Sequence, residues 1–159
     1  MPLTILALVL ATAFPSTSRT SWMSPQAFRI AIGMSRADAL GALEGSGWAV
    51  KNGRTPDELV IDYSDDKALT LEFRRNRLHS VRFELFAMLP DIRAAFEEQK
   101  LLLRKVHGEP KKKSRRNSIV VYDDRLPNIM VVLSDDPDSD YGKKGVGFLA
   151  VRYYDPVNR

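Results

Sequence analysis

The chain changes between helical and strand periodicity in an order that occurs twice. In the first half, Ser35 and Asp38 have the spacing of a helix capping box, and apolar residues at helical spacing continue to Gly45. Three runs then alternate apolar and polar residues, at 59–63, 69–74 and 80–85. Residues 75–76 are the expected turn between the last two runs. This pattern predicts a helix followed by three strands.

The second half repeats this order. Apolar residues at spacings of three, four and seven after Pro90 predict a helix, which Gly108 and Pro110 end. Three β-rich runs follow, at 118–122, 129–134 and 146–154. Because 119–122 and 129–133 lack alternation, we expect them to be central strands buried on both faces.

Together the halves predict one α+β domain over residues 22–159. It consists of two αβββ units, at about 33–86 and 90–155, with the helices packed on one face of an antiparallel sheet or of two smaller sheets. A chain of 159 residues can bury a core of its own without a disulfide or a structural metal.

The amino-terminal residues have the pattern of an export signal. An apolar run from Leu3 to Phe14 is too short to span a bilayer comfortably, and Ala11 and Ala13 provide the small-x-small pattern of a cleavage site. We therefore expect a signal peptide at 1–13, extending at most to 21, and a periplasmic or secreted protein. The absence of Lys or Arg before Leu3 leaves two alternatives, an uncleaved interfacial anchor or a buried first strand.

The residue types exclude several chemistries. The chain has no cysteine, which excludes disulfides, thiol nucleophiles, thiolate zinc sites and lipid attachment through a thiol. We expect its two histidines to be structural, with His79 facing the core beside a hairpin and His107 capping a helix. The acidic run after 135 lacks the glycine and the glutamate of a calcium loop, so we expect an ordinary turn there. No catalytic residue, cofactor or metal site is predicted.

One part of the chain, residues 32–85, is similar to a known superfamily. The similarity lies in Ile32-Gly33-Met34-Ser35-Arg36-Ala37-Asp38-Ala39-Leu40, in Leu43 and Gly47, and in the hairpin pattern Leu69-x-Leu71-x-Phe73-x-x-Asn76-x-Leu78. These residues resemble the SmpA/OmlA (BamE) and β-lactamase-inhibitor-protein-like superfamily. The resemblance implies a capped helix beside a small antiparallel sheet, in a protein of the bacterial envelope or the extracellular space that binds other proteins. The chain lacks the lipid-bearing cysteine of the assembly lipoproteins, and its tandem order is closer to the secreted inhibitors.

Charge is segregated along the second half, although the net charge is only +4. Residues 100–116 contain eight Lys or Arg and one Glu, whereas 123–140 contain six Asp and one Arg. The basic segment could contact nucleic acid, anionic lipid or an acidic protein surface. Because 111–116 contains no aromatic residue that could stack on a base, the pattern argues against nucleic acid.

These observations predict a secreted or periplasmic, non-catalytic module that binds another protein, as an envelope scaffold or an inhibitor-like protein. Two alternatives remain, a cell-envelope hydrolase and a binder of anionic surfaces or nucleic acid through residues 100–116. The candidate partner-binding residues lie on the outer sheet face and in two charged loops: Arg74, Arg82, Glu84, Phe86, Lys111, Lys112, Lys113, Arg115, Arg116, Asp135, Asp136, Asp138 and Asp140.

Overall fold

The computed structural model describes residues 18–113, 119–122 and 127–156. Within them the α-helices are α1 (Arg36–Gly45) and α2 (Leu89–His107), and two short 3-10 helices span Pro25–Phe28 and Gly142–Lys144. The strands are β1 (Val50–Asn52), β2 (Glu58–Ser64), β3 (Lys67–Arg74), β4 (Arg77–Met88), β5 (Lys112–Lys113), β6 (Ile119–Tyr122), β7 (Asn128–Ser134) and β8 (Val146–Tyr154). The expected signal peptide at 1–13 and the candidate residues Arg115 and Arg116 lie outside the described residues.

All eight strands form one antiparallel sheet in the order β1-β2-β3-β4-β8-β7-β6-β5. The last strand of each half, β4 or β8, lies at the centre, and these two strands pair from Ser80 opposite Tyr154 to Met88 opposite Val146. Each half thus contributes one helix and four strands. The predicted α+β class is confirmed, and each half has one short strand, β1 or β5, that the periodicity did not indicate.

Local sequence signals explain where these elements begin and end. The Ser35 hydroxyl accepts a hydrogen bond from the Asp38 backbone N–H at 3.1 Å and donates one to the Asp38 carboxylate at 2.6 Å, which caps α1. Arg75 and Asn76 both have positive φ, as the two central residues of a type I′ hairpin turn require. Gly108 ends α2, also with a positive φ. All three were predicted from the sequence.

Alternation places one face of the sheet in the core. Along β4, Val81, Phe83 and Leu85 are buried, and Phe83 lies opposite Leu69 of β3 and Val151 of β8. Leu43 of α1 and Ile92 of α2 belong to the same hydrophobic cluster. Both helices therefore cover this one face, as predicted.

The segment before α1 also covers this face, and the periodicity did not indicate it. Its residues Met23 and Phe28 are buried in the same cluster as the helices. The Trp22 ring is stacked on Tyr63 with 5.4 Å between centroids. The Tyr153 hydroxyl donates a hydrogen bond to the Met23 carbonyl at 3.1 Å. This segment is thus a third covering layer beside α1 and α2.

The prediction that β6 and β7 are central and buried on both faces is wrong. They lie second and third from the β5 edge of the sheet. Along β7, Ile129 and Val131 are buried, whereas Met130 and Val132 are only half-buried. The sequence lacks alternation because both faces of β7 carry apolar side chains, although only one face is covered by helices.

Candidate partner-binding face

The sheet face opposite the helices, here called the open face, carries one continuous row of side chains across all eight strands. Strand registers place these residues side by side: Lys51, Val60, Thr70, Arg82, Arg152, Met130, Val121 and Lys112. We call this set the central row. Four of its eight members are cationic. Two of them, Lys51 and Lys112, lie at the two edges of the sheet, and the other two, Arg82 and Arg152, lie at its centre.

Arg152 occupies the centre of this row and is held on several sides. Its Nε donates to the Ser80 hydroxyl at 2.7 Å, and its Nη2 donates to the Glu72 carboxylate at 2.8 Å. The guanidinium lies 5.6 Å from the centroid of the Tyr154 ring. Because a charge-assisted hydrogen bond to carboxylate is strong and directional, the side chain has a fixed orientation.

Two other cations of the row, Lys51 and Arg82, also have carboxylates beside them. Lys51 Nζ lies 2.6 Å from an Asp62 oxygen, and Arg82 Nε lies 3.1 Å from a Glu84 oxygen. The Arg82 N–H is not directed at that oxygen and has no hydrogen-bond partner among the described residues, so this contact is electrostatic. The open face therefore alternates in charge, with acidic side chains on both sides of the central row.

Apolar side chains occupy one end of the open face. The Phe86 ring lies 5.0 Å from that of Phe148 and 6.1 Å from that of Tyr141. We call Phe86, Phe148 and Tyr141 the aromatic cluster. Tyr141 is 61% exposed, and Met88, which has the same strand parity as Phe86, is 55% exposed. A patch of exposed aromatic and thioether groups thus adjoins the charged rows.

The four candidates predicted on the sheet are distributed along this face. Arg82, Glu84 and Phe86 have one parity on β4, so they form a line of about 13 Å. By the same alternation Arg74 lies on the open face, but at the hairpin end opposite Phe86. The structure therefore places three of the four near one another and Arg74 apart.

The basic segment lies at the β5 edge of the sheet. Lys111, Lys112 and Lys113 are exposed, and Lys112 ends the central row. Lysines on an edge strand hinder pairing with another chain, which is a structural reason for their presence.

Some of the remaining positive charge in this segment is paired with acids. Lys100 Nζ lies 2.8 Å from Glu97, and Arg104 forms an ion pair with Glu109. All four side chains belong to α2 or to the residues just after it, so their charges are partly balanced locally rather than directed at one site. These ion pairs therefore weaken the positive field around Lys100 and Arg104.

The acidic loop does not lie on the open face as one unit. The Asp135 carboxylate accepts a hydrogen bond at 2.7 Å from Arg93 of α2, on the helix side. The Asp136 side chain accepts from the Asp138 backbone N–H at 3.0 Å, which is turn chemistry. Asp138 and Asp140 are exposed. Within the described ranges, no three His, Cys, Asp or Glu side chains are arranged to hold a metal ion.

His79 and Ser80, adjacent on β4, have separate environments. His79 is buried, and its pKa is lowered from 6.5 first by desolvation and then by the positive charge of Arg74. The Ser80 hydroxyl is fully buried and accepts the hydrogen bond from Arg152. It is therefore engaged in the network of the open face.

Sequence reasoning missed several residues of this face. Arg152, Glu72, Phe148 and Tyr141 were not selected, although the first three follow from strand alternation once β3 and β8 are assigned to one sheet. Tyr141 lies in the loop before β8, and no periodicity indicates which face a loop residue approaches.

None of the described helices is long and apolar enough to cross a membrane. Comparisons of the chain with protein-family models, with curated proteins and with solved structures give no significant match. The resemblance of residues 32–85 to the SmpA/OmlA (BamE) and β-lactamase-inhibitor-protein-like superfamily stays a prediction.

Proposed function

We propose that this protein is a non-catalytic module that binds another protein through the open face, as an envelope scaffold or an inhibitor-like protein outside the cytosol. The observation that carries the proposal is a sheet face that neither α-helix covers and that combines charged side chains with a partly exposed aromatic cluster. Antiparallel sheets with one uncovered face usually present polar side chains to water, whereas this face also presents Phe86, Tyr141 and Met130.

The composition of the open face supports partner binding. Interface centres are enriched in aromatic residues, Met and Arg, and energetic hot spots are enriched in Tyr, Trp and Arg. Tyr141, Met88, Arg82 and Arg152 supply these types on one side of the sheet. Because Arg152 is already oriented by its hydrogen bonds to Ser80 and Glu72, less side-chain entropy is lost when a partner binds.

A location in the periplasm or outside the cell is supported by the sequence pattern at 1–13 and by the resemblance of residues 32–85. The absence of cysteine is compatible with such a location but does not select it.

The two alternative functions have less support. A hydrolase needs a nucleophile within reach of a base, and the Ser80 hydroxyl beside His79 instead accepts from Arg152. An anionic-surface binder needs a concentrated cationic site, and Lys100 and Arg104 are paired with acids.

A site-specific photo-crosslinking experiment tests the proposal in the native host. Benzoylphenylalanine replaces Tyr141 on the open face or, as the matched control, Leu101 on α2, which is 58% exposed. We expect one protein to be crosslinked through position 141, and the same protein to be absent from position 101. Equal products at the two positions, or none at 141 with the melting temperature unchanged, would refute binding through the open face.

A further inference from the structure

A cleft lies on the helix side of the protein, between the segment before α1 and the C-terminal half of α2. Its volume is about 660 Å³, within the range of roughly 300–1,000 Å³ that is typical of small-molecule sites. Met23 and Ile30 of the first segment, Leu103 of α2, and Ile129 and Tyr153 of the sheet line it. The lining is mostly apolar, although His107 and Asp155 also belong to it, and it is separate from the open face.

Two buried side chains of the lining each contain a polar atom without a hydrogen-bond partner. Gln99 is 3% exposed, at the centre of the buried stripe of α2 between Phe96 and Leu103. Thr20, in the first segment, is 1% exposed. Neither Gln99 Oε1 nor Thr20 Oγ1 has a hydrogen-bond partner among the described residues. Because an unpaired buried polar group destabilises a fold, a hydrogen-bonding group in the cleft would stabilise these two atoms.

The position of Thr20 is fixed by neighbouring hydrogen bonds. The Met23 backbone N–H donates to the Thr20 carbonyl at 2.9 Å, and the Tyr153 hydroxyl donates to the Met23 carbonyl at 3.1 Å. Tyr153 thus connects the floor of the cleft to the segment that carries Thr20. A ligand would meet a preformed polar site, which lowers the entropy lost on binding.

The cleft also has an exposed apolar residue in its lining. Val106 continues the apolar stripe of α2 one turn beyond Leu103, yet it is 76% exposed. An exposed valine that leads into an apolar cleft can contact the aliphatic part of a ligand.

We propose that this cleft binds a neutral amphiphile with an aliphatic body and a hydroxyl head. A hydroxyl has a hydrogen to donate to an acceptor such as Gln99 Oε1 and an oxygen that can accept from a donor such as Thr20 Oγ1. A carboxylate has no hydrogen to donate to Gln99 Oε1. Its charge would be desolvated by the apolar side chains and repelled by Asp155 of the lining. The aliphatic body would contact Leu103 and Val106.

Calorimetric titration of the full chain with 1-decanol and, as the charged analogue, decanoate at pH 8 tests this site. We expect 1-decanol to bind at least tenfold more tightly than decanoate. Gln99→Leu, which removes a buried polar group and keeps the helix, is expected to weaken 1-decanol binding about three- to tenfold. Leu101→Ala on the exposed side of α2 and Tyr141→Ala on the open face are expected to leave it unchanged.

Hydrogen exchange with and without 1-decanol locates the site independently of the variants. We expect protection of residues 20–33 and of the C-terminal half of α2. The proposal is overturned if 1-decanol does not bind. This outcome includes the case in which residues 1–17 of the chain itself occupy the cleft. It is also overturned if Gln99→Leu binds 1-decanol as tightly as the wild type, or if protection appears in strands of the open face instead.

Discussion

Two phenylalanines of β4 provide a direct test of the one-sided sheet. Phe83 faces the core, where its ring lies 5.8 Å from Phe28, 5.9 Å from Trp22 and 5.9 Å from Tyr153. It is fully buried. Replacing such a residue by alanine removes apolar burial and leaves a cavity, so we expect Phe83→Ala to lower the free energy of unfolding by about 3–5 kcal/mol.

Phe86 lies three residues further along β4, with its side chain on the open face. It is half-buried and is in ring contact with Phe148 and Tyr141. Since an aromatic pair contributes about 0.5–1.5 kcal/mol and the ring already meets solvent, we expect Phe86→Ala to cost about 1 kcal/mol. The same substitution should weaken crosslinking through position 141, because it removes part of the aromatic cluster.

Urea unfolding followed by tryptophan fluorescence measures both variants. A thermal melt gives a second measurement of the same difference. For a domain of this size, 1 kcal/mol corresponds to roughly 2–4 °C in melting temperature, so the melting temperatures of the two variants should differ by at least about 4 °C. Equal losses of stability would refute the reasoning, since they would mean that something covers the open face. A second copy of the chain is one such cover, and a dependence of the loss on protein concentration would reveal it.

Further predictions concern a helix cap, a buried histidine and the β5 edge. Ser35→Ala removes the cap on α1 and should lower the free energy of unfolding by about 1 kcal/mol in urea melts, whereas no change would contradict the capping role. Burial and the charge of Arg74 lower the pKa of His79 below 6.5, so as the pH falls the unfolded state is protonated at His79 before the folded state is. The wild type should therefore lose at most about 1.4 kcal/mol of stability per pH unit between pH 6.5 and the lowered pKa. Urea melts between pH 5 and 7.5 should show this loss, and an equal loss in His79→Gln would contradict it. Replacing the three lysines at 111–113 by threonine should raise the rate of aggregation measured by light scattering, and unchanged aggregation with lost adsorption to phosphatidylglycerol vesicles would favour the anionic-surface alternative.

Most of the fold follows from signals that act within a few residues of one another. The cap at Ser35, the hairpin turn at 75–76 and the stop at Gly108 each depend on local backbone chemistry, and all three occur where the sequence predicts them. The strands β1 and β5 were missed because two or three residues are too few to show a period.

The arrangement of the strands depends on distant contacts, which periodicity does not report. The apolar runs at 119–122 and 129–133 predicted central strands, but β4 and β8 are central instead. Apolar side chains on both faces of a strand indicate either burial or an exposed apolar surface, and only the placement of the helices distinguishes the two.

The candidate site was predicted in part. Arg82, Glu84 and Phe86 lie together on the open face because alternation along one strand is a local property. Their neighbours Arg152 and Tyr141 come from β8 and the loop before it, so their proximity depends on the pairing of β4 with β8. Gln99 showed no signal at all, because a single polar residue within an apolar stripe does not alter its period.

The central place of β8 has a consequence for how the chain acquires its shape during synthesis. β8 follows every other described strand in sequence, yet β4 and β7 both pair with it. Until residues 146–154 have emerged from the ribosome, the two halves of the sheet cannot pair. The backbone edge of β4 that later pairs with β8 is exposed to solvent during that time. Pairing of β4 with β8 joins strands that are far apart in sequence, and the entropy cost of closing such a long loop slows folding.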